Sequence, residues 1–151
     1  MPPITCISEV VLNVTDLPSM RSFYAEVMGF PVQREVCLET ETPDPTGEPT
    51  ICFLKIADTD TPLGRDKHPQ LLVLIDYRRH IYANRFDGHD VNKSTLNHLA
   101  FEVPASSYDA HLQRLRDLAL HPVTTSFPAL NARAIFFNDP AGNRLELICP
   151  E

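Results

Sequence analysis

Two stretches, Glu9-Val-Val-Leu-Asn-Val14 and His98-Leu-Ala-Phe-Glu-Val103, occupy the same place in two copies of one sequence pattern. Each stretch is a largely apolar strand that begins with a polar residue and leads into a helical pattern. The helical pattern ends near Gly29 in the first copy and near Leu120 in the second. An internal repeat of this kind predicts two similar structural modules within the 151 residues of the chain.

Both copies are predicted to run in the order βαβββ. Alternating and β-branched apolar residues predict the strands, and apolar residues at helical spacing predict one helix after the first strand of each copy. The predicted strands lie at 7–14, 32–38, 50–57 and 71–77, then at 96–103, 122–126, 132–137 and 144–149. We therefore predict an α+β protein with one domain, 1–151, made of a module at 4–77, a connector at 78–93 and a module at 94–151.

Local signals support these boundaries. Asp16 precedes Leu17-Pro18, which is typical of a helix start, and Gly29 is well placed to end the helix in the left-handed conformation. A start resembling a capping box, Ser106-Ser-Tyr-Asp109, opens the second helix. Asp139-Pro-Ala-Gly-Asn143 predicts a tight turn between the last two strands.

The composition limits the classes of partner and the cellular locations that we expect for the protein. A net charge of -7 argues against a nucleic-acid partner. The longest purely aliphatic run, Leu71 to Ile75, is far shorter than the ~20 apolar residues that a membrane span needs. No charged-then-apolar signal segment opens the sequence, so we expect a cytoplasmic protein. Four scattered cysteines without Cys-x-x-Cys spacing predict free and mostly buried thiols.

Three polar residues interrupt otherwise apolar strands: Glu9, His98 and Glu146. A buried charge needs a partner, so their convergence would create a metal site with one imidazole and two carboxylates. Matching the two copies places Val73 where Glu146 stands in the second copy, so one of the four equivalent positions cannot bind a metal. The alternative for Glu9 is a salt bridge with Arg133 or Arg144.

The sequence resembles the vicinal oxygen chelate superfamily. The resemblance covers nearly the whole chain, and its most specific parts lie in three segments. They are Val14-Thr-Asp-Leu17 with Phe23-Tyr24 and Met28-Gly-Phe30, then Asn97-His-Leu-Ala-Phe-Glu-Val103, and then Asp139-Pro-Ala-Gly-Asn-Arg-Leu-Glu146. The superfamily includes glyoxalase I, methylmalonyl-CoA epimerase, extradiol ring-cleaving dioxygenases, and the fosfomycin- and bleomycin-resistance proteins.

The resemblance implies both a fold and a metal site. Its members fold two βαβββ modules into a cupped, incomplete barrel that holds one divalent metal ion. His98 and Glu146 match the ligands of the second module, and Glu9 stands where many members have His and some have Gln. Val73, or a neighbour one step away, stands where glyoxalase I has a fourth ligand. One histidine with two carboxylates favours Mn or Mg, while Fe, Ni, Co and Zn stay open.

The function implied is a metal-dependent enzyme that acts on a small molecule with vicinal oxygens, either a lyase or isomerase or a ring-cleaving dioxygenase. Glu9 and Glu146 are the expected catalytic carboxylates, with Glu9 as the general base if it is not a firm ligand. Tyr77 and Arg133 are the candidates for orienting the substrate, although Tyr77 has packing at the strand end as its alternative role.

Two further classes of protein stay open. One is a metal-free protein that binds and sequesters a small molecule, as bleomycin-resistance members do, and the other is a non-catalytic remnant. A homodimer is expected in each case, because members of the superfamily often pair modules between chains. The connector is locally basic, through Arg78, Arg79, Arg85 and Lys93, and is read as a solvated loop or as a receiver of an anionic group. His80 and His89 in the connector are candidates for a substitute ligand or a proton carrier.

Overall fold

The computed structural model describes residue 4, residues 6–81 and residues 96–151. The chain divides into two compact units, Met1–Gly88 and His89–Glu151. Each unit carries one open, four-stranded mixed sheet and one principal helix, so the predicted α+β class and the tandem βαβββ order are confirmed.

The sheet of the first unit consists of β1 (Glu9–Val14), β2 (Val32–Val36), β3 (Ile51–Ala57) and β4 (Gln70–Asp76). The spatial order is β1-β4-β3-β2, with β1 parallel to β4 and the other pairs antiparallel. Between β1 and β2 lies α1 (Leu17–Ser22), which continues as one π-helical turn, Phe23–Val27. A short helix, α2 (Pro62–Arg65), lies in the polar stretch between β3 and β4, where the sequence predicts only a connection.

The second unit repeats this topology. Its strands are β5 (Leu99–Glu102), β6 (Val123–Phe127), β7 (Ala132–Asn138) and β8 (Arg144–Pro150), in the spatial order β5-β8-β7-β6. Again the first strand is parallel to the last, and the remaining pairs are antiparallel. The helix α3 spans Tyr108–Asp117 and follows a single 3-10 turn at Ala105–Ser107. The observed strand β5 is shorter than the predicted strand at 96–103, so His98 lies just before it.

Local chemistry explains most of these boundaries. The Asp16 carboxylate accepts a hydrogen bond from the backbone N–H of Ser19 at 3.0 Å, which caps α1 as predicted. Gly29 has a φ of 74°, the left-handed conformation that ends helices. The start of α3 differs from the prediction, because Ser107 makes no side-chain cap and its hydroxyl donates to the carbonyl of Pro104 instead.

The turn between β7 and β8 is held by the carboxylate of Asp139. One of its oxygens accepts the backbone N–H groups of Ala141 and Asn143 at 2.9 Å each, and the other accepts the side-chain amide of Asn143 at 2.8 Å. Gly142 takes a φ of 85°. This turn fixes the start of β8 and therefore the positions of Arg144 and Glu146.

Strand register separates two faces in each sheet. In the first unit the face carrying Leu12, Cys52 and Leu74 is buried, whereas Glu9 and Val11 lie on the opposite face and are exposed. We call that opposite face the Glu9 face. In the second unit Phe136 and Glu146 share one face, which we call the His98 face.

Candidate functional site

A close polar contact on the His98 face joins His98 to Glu146. The Nε2 atom of His98 lies 2.9 Å from Oε2 of Glu146. Glu146 is only 4% exposed, because it lies in the interior of β8 between β5 and β7. A carboxylate buried to this degree requires a proton, a cation or strong hydrogen bonds. The contact with His98 is therefore central to the chemistry of this face.

A second contact fixes the proton on the imidazole of His98. Its Nδ1 atom lies 2.7 Å from the side-chain oxygen of Asn97, an atom that only accepts hydrogen bonds. Nδ1 therefore carries the proton, and in the neutral ring Nε2 presents a lone pair to the Glu146 carboxylate. Two acceptors 2.9 Å apart repel each other unless a proton or a cation lies between them.

The distance between the two donor atoms fits a metal ion. With metal–ligand bonds of ~2.1 Å at right angles to each other, neighbouring donor atoms stand ~3 Å apart. The contact from Nδ1 to Asn97 is also the kind of outer contact that sets the tautomer of a metal-binding histidine. His98 and Glu146 therefore fit two neighbouring positions of a metal site.

The Phe136 ring connects this pair to an arginine. The rings of His98 and Phe136 pack in a T-shaped arrangement with 5.7 Å between their centroids, and the guanidinium carbon of Arg144 lies 4.4 Å from the centroid of the Phe136 ring. Arg144 is exposed and lies two residues before Glu146, on the same face of β8. An arginine thus lies beside the histidine and carboxylate.

Glu9 has a different environment in the first unit. Its carboxylate Oε2 lies 3.9 Å from Nε2 of His68, and its side chain is 41% exposed. The same His68 nitrogen lies 3.2 Å from the hydroxyl of Ser8. The Glu9 carboxylate is therefore accessible, and His68 is its partner among the described residues.

A family model described as the glyoxalase/bleomycin resistance protein/dioxygenase superfamily matches residues 7–147. The match spans both modules and includes Glu9, His98 and Glu146. The chain belongs to this superfamily.

Solved structures of the superfamily share its fold at low sequence identity. The lactoylglutathione lyase of Agrobacterium tumefaciens is 22% identical, with a TM-score of 0.64 over 98% of this chain and 96% of that one. A mutant fosfomycin resistance protein of Listeria monocytogenes, complexed with Mn(II) and a dihydroxypropylphosphonic acid, is 17% identical, with a TM-score of 0.66 over 99% and 95%. A domain of the superfamily from Frankia is 19% identical, with a TM-score of 0.66 over 99% and 94%. No curated protein matches the sequence.

The register of the two sheets bears on the fourth position of a superfamily metal site. Glu146 pairs with Ala100 on β5, and Val73 pairs with Val11 on β1. In the repeat Val11 corresponds to Ala100, so Val73 is the equivalent of Glu146. Val73 is apolar and 2% exposed. The first module therefore supplies no ligand at this position.

Tyr77 and Arg133, the two predicted substrate-binding residues, lie in different units. Tyr77 follows β4 and is half-buried, with its backbone N–H donated to the carbonyl of Val14 at 3.3 Å. The guanidinium of Arg133 stacks on the ring of Tyr108 from α3, 4.0 Å from its centroid. Arg133 is adjacent to Ala134 and Ala132 and so points to the helix side of the sheet, away from the His98 face. Their role in substrate binding stays a prediction.

His80 differs from its expected position on a loop surface. It is 2% exposed, and its Nδ1 lies 2.9 Å from the hydroxyl of Thr50. That hydroxyl also accepts the backbone N–H of Leu38 at 2.9 Å. Burial lowers the pKa of the His80 imidazole. His80 is therefore a neutral residue of the core in the first unit.

The described part of the connector is not a free basic loop. Arg78 contacts the buried carboxylate of Asp76 at 3.5 Å, and Arg79 donates to Glu39 at 2.7 Å. The predictions for Arg85, His89 and Lys93 concern residues outside those that the structure describes. Arg78 and Arg79 are thus committed to carboxylates of the first unit.

Within residues 6–81 and 96–151, no three His, Cys, Asp or Glu side chains are grouped closely enough to hold a metal ion. In the same residues no helix is long and apolar enough to span a membrane. Sequence reasoning missed the contacts of Asn97 and Phe136 with His98. Asn97 was within the motif that carried the resemblance, but no sequence pattern shows which ring nitrogen its amide contacts.

Proposed function

We propose that this protein is a divalent-metal-dependent enzyme acting on a small molecule with vicinal oxygens, of the lyase/isomerase or ring-cleaving dioxygenase type. The observation that supports it is the His98–Glu146 contact of 2.9 Å, in which the lone pair of a tautomer set by Asn97 faces a buried carboxylate. This arrangement requires a positive species between the two atoms. The Mn(II) complex of the fosfomycin resistance protein supports a metal ion as that species.

In this proposal His98 and Glu146 each supply a ligand, and Glu9 as a further ligand stays a prediction from the resemblance to the superfamily. A divalent ion held there supplies a Lewis acid for two neighbouring substrate oxygens and stabilises the negative charge that develops on them. Asn97 keeps the proton on Nδ1 of His98, so that Nε2 stays available. Glu9 is accessible and accepts a proton from the substrate if it is not a ligand, which makes it the proposed general base. The chemistry of these donors fits Mn, Mg and Fe, with Co, Ni and Zn open.

The test is the metal content of untagged protein purified without chelator and then reconstituted in turn with Mn, Fe, Co, Ni and Zn. We expect about one divalent ion per chain, and loss of that ion in His98→Ala, because Glu146 alone cannot hold it. His111→Ala, which removes a histidine from α3 in the same unit, is the matched control and should bind like wild type. A His98→Ala protein that binds metal as tightly as wild type would contradict the proposal.

A second candidate is a metal-free binding protein of the bleomycin-resistance type. The observation that favours it is Val73, an apolar residue at the position equivalent to Glu146. If wild type takes up none of the five metals, a metal-free binding protein is favoured over a metal-dependent enzyme. An aromatic or cationic ligand should then raise the melting temperature, because a ligand that binds only the folded state stabilises it.

We also propose a homodimer and a cytoplasmic location. Ile7 and Val123 are large apolar residues that remain 64% and 60% exposed in the single chain, and association would remove such surface from water. All four cysteines are free thiols, and three of them are buried, as the sequence predicts. Free thiols of this kind suit a reducing compartment.

A further inference from the structure

Arg144 is placed where it can contact a ligand of the His98–Glu146 pair. It begins β8 directly after the Asp139 turn and shares a face with Glu146, two residues further along the strand. Its side chain is exposed, whereas Glu146 is buried. The strand therefore places a cation at the accessible side of a buried carboxylate.

Phe136 determines where the charge of Arg144 lies. The guanidinium carbon is 4.4 Å from the centroid of the ring, a distance typical of a cation–π contact. The ring of His98 packs against the same ring in a T-shaped arrangement, with 5.7 Å between the centroids. One aromatic ring thus contacts both the imidazole and the guanidinium.

The guanidinium has no charged partner within the described residues. Arg144 makes no hydrogen bond or ion pair there, and its guanidinium contacts the ring of Phe136. Other arginines of the chain are paired with carboxylates: Arg21 with Glu35 at 2.8 Å, Arg65 with Asp60 at 2.7 Å, and Arg79 with Glu39 at 2.7 Å. Glu146 is not within ion-pair distance of Arg144, and its close contact is with His98. Among the residues that the structure describes, no acceptor therefore engages the five N–H donors of Arg144.

We propose that Arg144 binds an anionic group, a carboxylate or a phosphorus oxyanion, on the substrate whose vicinal oxygens occupy the His98–Glu146 site. This inference rests on the proposed function and narrows its substrate class to anions. The planar guanidinium presents a fork of donors that matches the oxygens of both groups. The ring of Phe136 orients the fork before the ligand arrives, which reduces the entropy lost on binding.

The test uses three probes that share a hydroxyketone and differ in charge: dihydroxyacetone, hydroxypyruvate and dihydroxyacetone phosphate. Their affinities for Mn-loaded protein are measured by calorimetry. We expect wild type to bind at least one of the two anions about 10-fold or more tightly than dihydroxyacetone, as one charge-assisted contact would give. The stronger of the two shows whether the natural group is a carboxylate or a phosphate.

Three variants assign this preference to Arg144. Arg144→Met should bring the affinity for the anions close to that for dihydroxyacetone, and Arg144→Lys should keep part of the preference, because it keeps the charge and loses the fork. Arg116→Met removes the same charge from the exposed surface of α3 and should behave like wild type. Equal binding of all three probes by wild type would overturn the proposal, as would an undiminished preference in Arg144→Met.

Metal uptake, measured separately on each protein, distinguishes this failure from failure of the proposed function. If Arg144→Met takes up Mn like wild type and still prefers anions, the substrate inference is wrong while the metal site stands. If no variant takes up metal, the proposed function fails, and the probes are titrated into metal-free protein. In metal-free protein, loss of the anion preference in Arg144→Met still supports Arg144 as the anion-binding residue. The absence of any anion preference in wild type refutes that assignment.

Discussion

At the residue scale, the chemistry of the candidate site depends on which nitrogen of His98 carries the proton. Asn97 and Glu146 contact the two nitrogens at 2.7 and 2.9 Å, and only the first contact is a hydrogen bond in the neutral ring. The side chain of Asn97 thus prepares Nε2 for a cation without touching that cation itself. Asn97 is a positioning residue, and its effect should appear in metal affinity.

We predict that Asn97→Ala weakens metal binding about 10-fold, the lower end of the range for such outer contacts, because Asn97 is exposed. Asn97→Asp keeps an acceptor for Nδ1 and should bind metal at least as tightly as wild type. Competition with a chromogenic chelator measures both affinities. Asn138→Ala, at the end of β7, is the control, and an Asn97→Ala protein with wild-type affinity would refute the assignment.

At the element scale, a series of hydrogen bonds joins the segments next to β2, β3 and β4 in the first sheet. The backbone N–H of Leu38, after β2, donates to the hydroxyl of Thr50, and this hydroxyl is also hydrogen-bonded to Nδ1 of His80, after β4. Thr50 is fully buried, and it precedes β3. One threonine therefore links the segments that flank three strands.

This series of hydrogen bonds predicts a pH-dependent stability of the first unit. Burial lowers the pKa of His80 below its ordinary value of about 6.5, so the unfolded chain takes up the proton more readily than the folded one. The contribution of His80 to stability is fully present above that ordinary value. It diminishes as the pH falls below it, and the loss is complete once the pH has passed through the lower pKa of the folded state.

His80→Asn tests this prediction, because its side-chain amide can still form a hydrogen bond with Thr50 but does not titrate. We expect the variant to be less stable than wild type at pH 8, through lost packing, and to lose less stability between pH 8 and pH 5. Urea unfolding at several pH values measures both effects. His111→Asn should keep the wild-type pH dependence, and an equally steep loss in His80→Asn would contradict the role given to His80.

At the scale of the whole molecule, each module is an open sheet whose Glu9 or His98 face carries the candidate residues. Such a face exposes apolar side chains, among them Val11 at 46% and Val123 at 60%. Exposed apolar surface of this kind favours association. If solvent covered both faces of each sheet, Val11 and Val123 would have no apolar side chains to pack against.

We therefore predict a particle of twice the mass of one chain in size-exclusion chromatography with light scattering. The mass should hold on dilution through the micromolar range, as expected for an interface built on apolar residues. A single-chain mass at every concentration would refute the homodimer, without bearing on the metal site.

Much of the fold follows from the sequence alone. Period-two and helical patterns predicted the eight strands and the two principal helices of the described residues, because the side chains of a strand alternate between a buried face and an exposed one. Turn chemistry at Asp16, Gly29 and Asp139 predicted where the elements begin and end. The short helix α2 was missed, since its four residues, Pro62–Arg65, are too few to show a period.

The sequence by itself also determined the superfamily and the equivalence of Glu146 and Val73 in the repeat, because a repeat and its strand register are properties of residue order. Only the tertiary structure decided the partners of side chains. It placed His80 in the core rather than on a loop, stacked Arg133 on Tyr108, and brought Asn97, Phe136 and Arg144 around His98. The reason is physical: pairing depends on rotamers and distances between strands remote in sequence, and residue order does not specify these before the chain has packed.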